Sequence, residues 1–300
     1  MALTSGVSSG AGILSAEEVG ILVVQPLRLR SVGLRVSTVV ETMRPTYRFP
    51  IVESDATAAL VQEGSEITES EADLGQISVT PVGIKALTTV SNELIADAAE
   101  NAAAAAVIAD GLVRSFARKY DKCFFGAVSN FDGTSAPAMS GLENVAYQAV
   151  NVGAPYSNLD PFAKAISLIE SVGSVCTSFA ASFSTCLSLM ELKKFGATTD
   201  VVSNEPLLAQ GEGDVSQPVS RNIFGVPLYS APEGTIEDGV VWALASDKTF
   251  TVMRMDISIV ANPFSAFSSD STQIRGVMRL APGFPHAAAV VKITGAVPGS

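Results

Sequence analysis

Residues 91–126 read SNELIADAAENAAAAAVIADGLVRSFARKYDKCFFG and constrain the fold more than any other stretch. Ile108, Leu112, Phe116 and Tyr120 recur every four residues with Val113 beside them, one apolar stripe at helical spacing. Five consecutive alanines, 102–106, favour helix and let other backbones approach closely. The pattern predicts one long helix over 91–126, N-capped by Ser91 and stopped at Gly126, with residues 99–101 its weakest turn. On another face Asp110, Arg114, Arg118 and Lys122 follow at four-residue steps. Asp110 can pair with Arg114; the remaining cations repel one another unless water or an acidic partner faces them.

Such a stripe needs a core, and the composition offers more apolar surface than one core requires. The 300 residues are 47% hydrophobic and 16% charged, with mean hydropathy +0.35, against roughly 25% charged in an ordinary soluble domain. No apolar run approaches the ~18 residues that span a bilayer, and the first ten residues lack the basic start and apolar stretch of a signal peptide. A chain of this kind is expected to hide surface against other chains in a large assembly. The net charge of −11 argues against tight, general nucleic-acid binding. Cys123, Cys176 and Cys186 show no metal-ligand spacing and are expected as free thiols in a reducing compartment.

Along the chain, residues 1–16 are Gly- and Ser-rich and read as an arm, and residues 34–40 as a short strand. Residues 49–84 hold seven acids (Glu53, Asp55, Glu63, Glu66, Glu69, Glu71 and Asp73) and no base, so most of the net charge resides there. Extended runs flank a polar middle, and the alternation changes phase at Pro81: a long hairpin that bends as it leaves. Its Ile51, Leu60, Val61, Ile67, Leu74 and Ile77 are too apolar for a tail left in water, so an arm packing on a neighbour is expected. Residues 129–156 read as loop, and Asp160-Pro161 opens a helix with Phe162, Ile166, Ile169 and Val172 on one stripe. Residues 179–187 alternate like a strand, 189–195 look helical, 201–213 read as loop, and 223–230 as a broken strand. Two long alternating runs, 251–259 and 273–280, and a closing segment at 287–294 make the C-terminal part mostly strand.

Catalytic signatures are scarce. His286 has no partners at metal spacing. Gly6-Val7-Ser8-Ser9-Gly10 fits a nucleophile-elbow pattern but has neither a strand before it nor a helix after it. Gly10-Ala11-Gly12 lacks the third glycine of a dinucleotide site, and no P-loop, HExxH, EF-hand or CxxC pattern occurs. No enzyme, cofactor or metal is expected.

The order of segments resembles the major capsid proteins of tailed bacteriophages, the Hong Kong 97-like family. AGILSAEEVGILVVQPLRLRSVGLRVSTVV is similar to the N-terminal arm and first strand, and YRFPIVESDATAALVQEGSEITESEADLGQISVTPVGIKALTTVSNELIADA to the extended loop leading into the spine helix. Val61-Gln62-Glu63-Gly64 followed by Glu69-Ser70-Glu71 is its most telling part. STCLSLMELKKFG and IFGVPLYSAPEGT resemble axial-domain pieces, and residues 247–293 the closing peripheral strands.

The resemblance covers roughly residues 11–295 and implies an α+β fold. Residues 1–27 would be the arm; 28–48, 81–145 and 245–300 a peripheral domain with its spine helix; 49–80 the extended loop; 146–244 an axial domain. It also implies a virion subunit, assembled in the bacterial host cytoplasm, whose pentamers and hexamers close into an icosahedral shell. That shell would enclose double-stranded DNA held by weak, non-specific contact. Its partners would be copies of itself, a portal, and separate scaffold or cement proteins, with no membrane.

The acidic loop residues Glu63, Glu66, Glu69, Glu71 and Asp73 would meet basic positions on neighbours. Candidates are Arg28, Arg30, Arg35, Arg114, Arg118, Lys122, Arg275 and Arg279. Residues 49–84 hold no lysine, so the lysine–asparagine crosslink of some relatives is not expected. No long helical scaffold precedes residue 17, so scaffolding is expected to be separate, already removed or unnecessary. Two alternatives remain: a nanocompartment shell of related fold enclosing an enzyme, and, remotely, a hydrolase with a cryptic site.

Overall fold

The computed structural model describes residues 30–54, 57–58, 60–62, 64, 66, 69–71, 73–93, 102–195, 202–208 and 221–296. The expected arm and the capping region at 94–101 lie outside them.

Helix α1 (Val32–Val36) leads into β1 (Thr38–Glu41), where a single strand over 34–40 is expected from sequence. The reason lies far along the chain. Asp121 accepts hydrogen bonds from Ser31 Oγ (2.6 Å), Val32 N (3.1 Å) and Gly33 N (2.9 Å), satisfying the first free N–H groups of α1. Ser31 itself caps Leu34 N.

Strands β2 (Tyr47–Ser54) and β3 (Asp73–Val79) pair antiparallel, Tyr47 opposite Val79 through Val52 opposite Leu74, forming the base of the expected hairpin. Phe49 anchors that base in a small cluster with Val79, Val252 and Ala281, against the rings of Tyr47 and Phe250. The chain changes sheets at Thr80-Pro81, where the alternation changes phase, and enters β4 (Val82–Ser91).

Helix α2 (Ala102–Phe125) is the predicted long helix with a later start. Ser91 ends β4 rather than capping a helix. Leu112, Val113, Phe116 and Tyr120 of the stripe are buried, with Phe124 continuing it. The helix lies on a four-stranded sheet of order β1-β14-β15-β4, with β14 at Phe250–Ala266 and β15 at Ser271–Gly283. Gly276 permits the close approach: a Cβ there would stand 2.8 Å from the Phe116 ring.

Residues 129–156, expected as loop, contain β5 (Val128–Asn130), β6 (Pro137–Ser140) and β7 (Gln148–Pro155). Helix α3 (Asp160–Ser171) forms as predicted, though its cap is Leu159. Strand β8 (Ser178–Ser182) stops early because the Ser182 hydroxyl accepts from Thr185 N and opens α4 (Phe183–Met190), so the strand expected over 179–187 is half helix. The helix expected at 189–195 is replaced by β9 (Lys193–Phe195), which pairs with β10 (Val202–Pro206) inside the expected loop.

Strands β11 (Asn222–Ile223) and β12 (Val226–Ala231) meet at a tight turn through Phe224 and Gly225, both at positive φ. With β13 (Val240–Leu244) and β16 (Val290–Ala296) they complete a six-stranded sheet, β11-β12-β8-β13-β16-β7. The closing strand β16, grouped by sequence with the peripheral strands, therefore pairs in the other sheet, between β13 and β7.

Strand β13 sits where two cores meet. Val240, Trp242 and Leu244 enter the cluster around α2, while Val241 and Ala243 enter the one under α3 and α4. A strand covered on both faces reads as a continuous apolar run, and VVWAL does.

Candidate functional site: charged surfaces for neighbouring chains

The hairpin β2–β3 carries surface that an isolated chain gains nothing by exposing. Val52, Leu60 and Leu74 are at least half exposed, Val61 and Ile77 more than a third. Glu66, Glu69, Glu71 and Asp73 are exposed, and none makes an ion pair among the described residues. The Glu63 side chain lies outside them, as does Arg28.

The basic candidates divide into two groups. Arg30 Nη2 reaches Asp110 Oδ1 at 2.6 Å, and Arg114 Nη1 reaches the other oxygen at 3.3 Å, so the expected Asp110–Arg114 pair forms with a third member. The Arg35 guanidinium stacks over the Tyr229 ring, 4.3 Å from its centroid. These three have partners within the chain. Arg118, Lys122, Arg275 and Arg279 stay exposed.

Arg275 and Arg279 share a setting that single positions do not reveal. On β15, burial alternates strictly: Ile274, Gly276, Met278 and Leu280 face α2, and Arg275 and Arg279 face outward. Pairing with β4 puts Arg275 opposite Leu87, Val277 opposite Lys85 and Arg279 opposite Gly83. A Cβ built on Gly83 would meet Lys85 Cε at 3.4 Å and Arg279 Cγ at 3.9 Å, so both stems lean over the bare backbone. Lys85 and Leu87 are absent from the sequence candidates; their alternation with Ile84 and Ala86 is the signal that marks them.

The interior holds charge for structure, not chemistry. Burial pushes the Asp121 carboxyl up to about 6, against the pull of its hydrogen bonds from Ser31, Gly33 and Val32. Lys292 Nζ bonds both Glu143 oxygens, at 2.7 and 2.8 Å, near the Tyr147 and Trp242 rings. Ser182 and Ser184 both donate to Asp238, holding its carboxyl below the ordinary range. Burial pushes the Cys176 and Cys186 thiols up to about 11, and all three cysteines are buried and free. Burial, with Lys248 nearby, lowers His286. Among the described residues no cluster of His, Cys, Asp or Glu could hold a metal ion, and no helix is long and apolar enough to cross a membrane.

A two-sheet body, a long helix across one sheet and a hairpin reaching out of the body define the Hong Kong 97-like capsid fold, and solved structures agree. The capsid of a native GTA particle is 16% identical with TM-score 0.61, covering 99% of this chain and 95% of that one. The structure from Mycobacterium phage Adephagia is 15% identical with TM-score 0.65, covering 96% and 99%. That from Microbacterium phage Oxtober96 is 14% identical with TM-score 0.65, covering 99% and 95%. A search of curated proteins finds no match. The model of the phage capsid family matches residues 11–295, so the chain belongs to that family and is a structural capsid subunit.

Proposed function

We propose that this subunit assembles into pentamers and hexamers that close into an icosahedral phage head around double-stranded DNA. The observation that carries the reading is the hairpin β2–β3, whose exposed Leu60, Leu74 and Val52 alternate with free carboxylates. Water rewards the carboxylates but not the leucines; a neighbouring basic, apolar surface rewards both.

In this reading residues 47–79 form the extended loop, β1, β4, α2, β14 and β15 the peripheral domain, and the six-stranded sheet with α3 and α4 the axial domain. Residues 290–296 then belong to the axial sheet. Lattice contacts, with an added cement protein where one is present, supply stability without a loop lysine. Assembly takes place in the host cytoplasm, with a portal and any scaffold supplied as separate chains. Packaged DNA is held by weak, non-specific contact, as the net charge of −11 requires.

Reversing two exposed loop charges, Glu66→Lys with Glu69→Lys, tests the reading. The subunit should keep its circular dichroism and lose shell closure in electron micrographs; normal particles from the double variant would sink it.

A further inference from the structure

The four-stranded sheet has one face under α2 and one face open. On the open face Leu87 is 63% exposed, Val260 48% and Met255 37%, and among them stand Lys85, Arg275 and Arg279. None of these three cations makes an ion pair among the described residues. The register interleaves charge and hydrocarbon: Arg275 lies between Leu87 and Val260, Arg279 between Gly83 and Met255. A bare phosphate polymer would use the cations and leave Leu87 and Val260 against water. A protein segment that is both acidic and apolar uses all of them.

We propose that this face receives the acidic segment of the extended hairpin from a second copy of the chain. The proposal rests on the assembly reading and names the surface on which the loop lands. Spacing supports it as well as sign. Arg275 and Arg279 stand four residues apart on one strand, about 13 Å, and Lys85 sits beside Val277, midway between them. Glu69, Glu71 and Asp73 lie at alternate positions; in extended backbone they share one side and also span about 13 Å. Three carboxylates about 7 Å apart thus meet three cations at the same step along the strands. Leu74 and Ile77, next on β3, are exposed and available to Leu87 and Val260.

The test is a charge swap in the full-length chain. Arg275→Glu with Arg279→Glu should cut the yield of sedimenting shells by about tenfold or more, the factor that each 1.4 kcal/mol of lost association carries. Glu69→Lys with Glu71→Lys should do the same, and the four changes together should restore shells. Because charge reversal can disturb folding, a disulfide variant checks the contact without it. Leu87→Cys with Glu71→Cys should give ladders of linked chains on non-reducing gels, while each single variant stays monomeric there.

Wild-type yields from Arg275→Glu/Arg279→Glu, or a combined variant no better than either pair, would overturn the proposal while leaving assembly intact. Normal shells that lose double-stranded DNA binding in the same variant would assign the face to nucleic acid and equally overturn it. A wild-type chain that forms no oligomer would remove both this proposal and the assembly reading beneath it.

Discussion

Asp121→Ala removes the one acceptor that holds the entry of the chain into the core. The carboxylate takes three hydrogen bonds, from Ser31 Oγ, Val32 N and Gly33 N, in a site without solvent access. Two backbone N–H groups and a hydroxyl would be left without a partner, each costing about 1–3 kcal/mol. The expected loss is about 3 kcal/mol or more at pH 7, a large fraction of a marginal stability. Asp121→Asn keeps the volume and one acceptor and relieves the buried charge, so its loss should be nearer 1 kcal/mol.

The pH dependence has a definite sign. Burial raises the folded carboxyl from 3.8 to about 6, so between those values the folded chain keeps a proton that the unfolded chain releases. Asp121's contribution is full below about pH 4 and falls as pH rises through 6, by at most about 3 kcal/mol. Urea unfolding of the unassembled subunit, followed by the single Trp242, measures both effects, because Trp242 packs in the same cluster as Val32 and Tyr120. An alanine variant within about 0.5 kcal/mol of wild type, below the cost of one orphaned donor, would refute the clamp. A wild-type advantage over Asp121→Asn that grows between pH 4 and 7 would refute the dominance of burial.

Two further outcomes follow from the interior. A Cβ on Gly141 would overlap the carbonyl oxygens of Cys123 and Gly126 at the end of α2, so Gly141→Ala should cost about 3 kcal/mol or abolish soluble expression; an unchanged melting temperature would contradict this. Thiol reagents at pH 8 should label the native protein only as fast as it unfolds, because all three cysteines are buried and burial pushes Cys176 and Cys186 up to about 11; rapid labelling of any one would contradict the packing.

What could be read from sequence was what short-range spacing encodes. The α2 stripe, the α3 start at Asp160-Pro161 and the alternation of β14 and β15 are local, and all three were legible. Partners distant in sequence decide the rest. Val32–Val36 turns helical because Asp121, some ninety positions later, satisfies its N–H groups. Strand β7, written in small and polar residues as QAVNVGAP, becomes a strand only beside β16. The acidic loop was visible as a run of charge. Its basic counterpart was half visible: Arg275 and Arg279 are near neighbours on one strand, whereas Lys85 joins them only through cross-strand register.

The most direct test of the account is negative-stain electron microscopy of the purified full-length chain, with light scattering for mass. The account predicts closed shells, or rings of five and six subunits. A monodisperse monomer that persists with candidate scaffold present would contradict it.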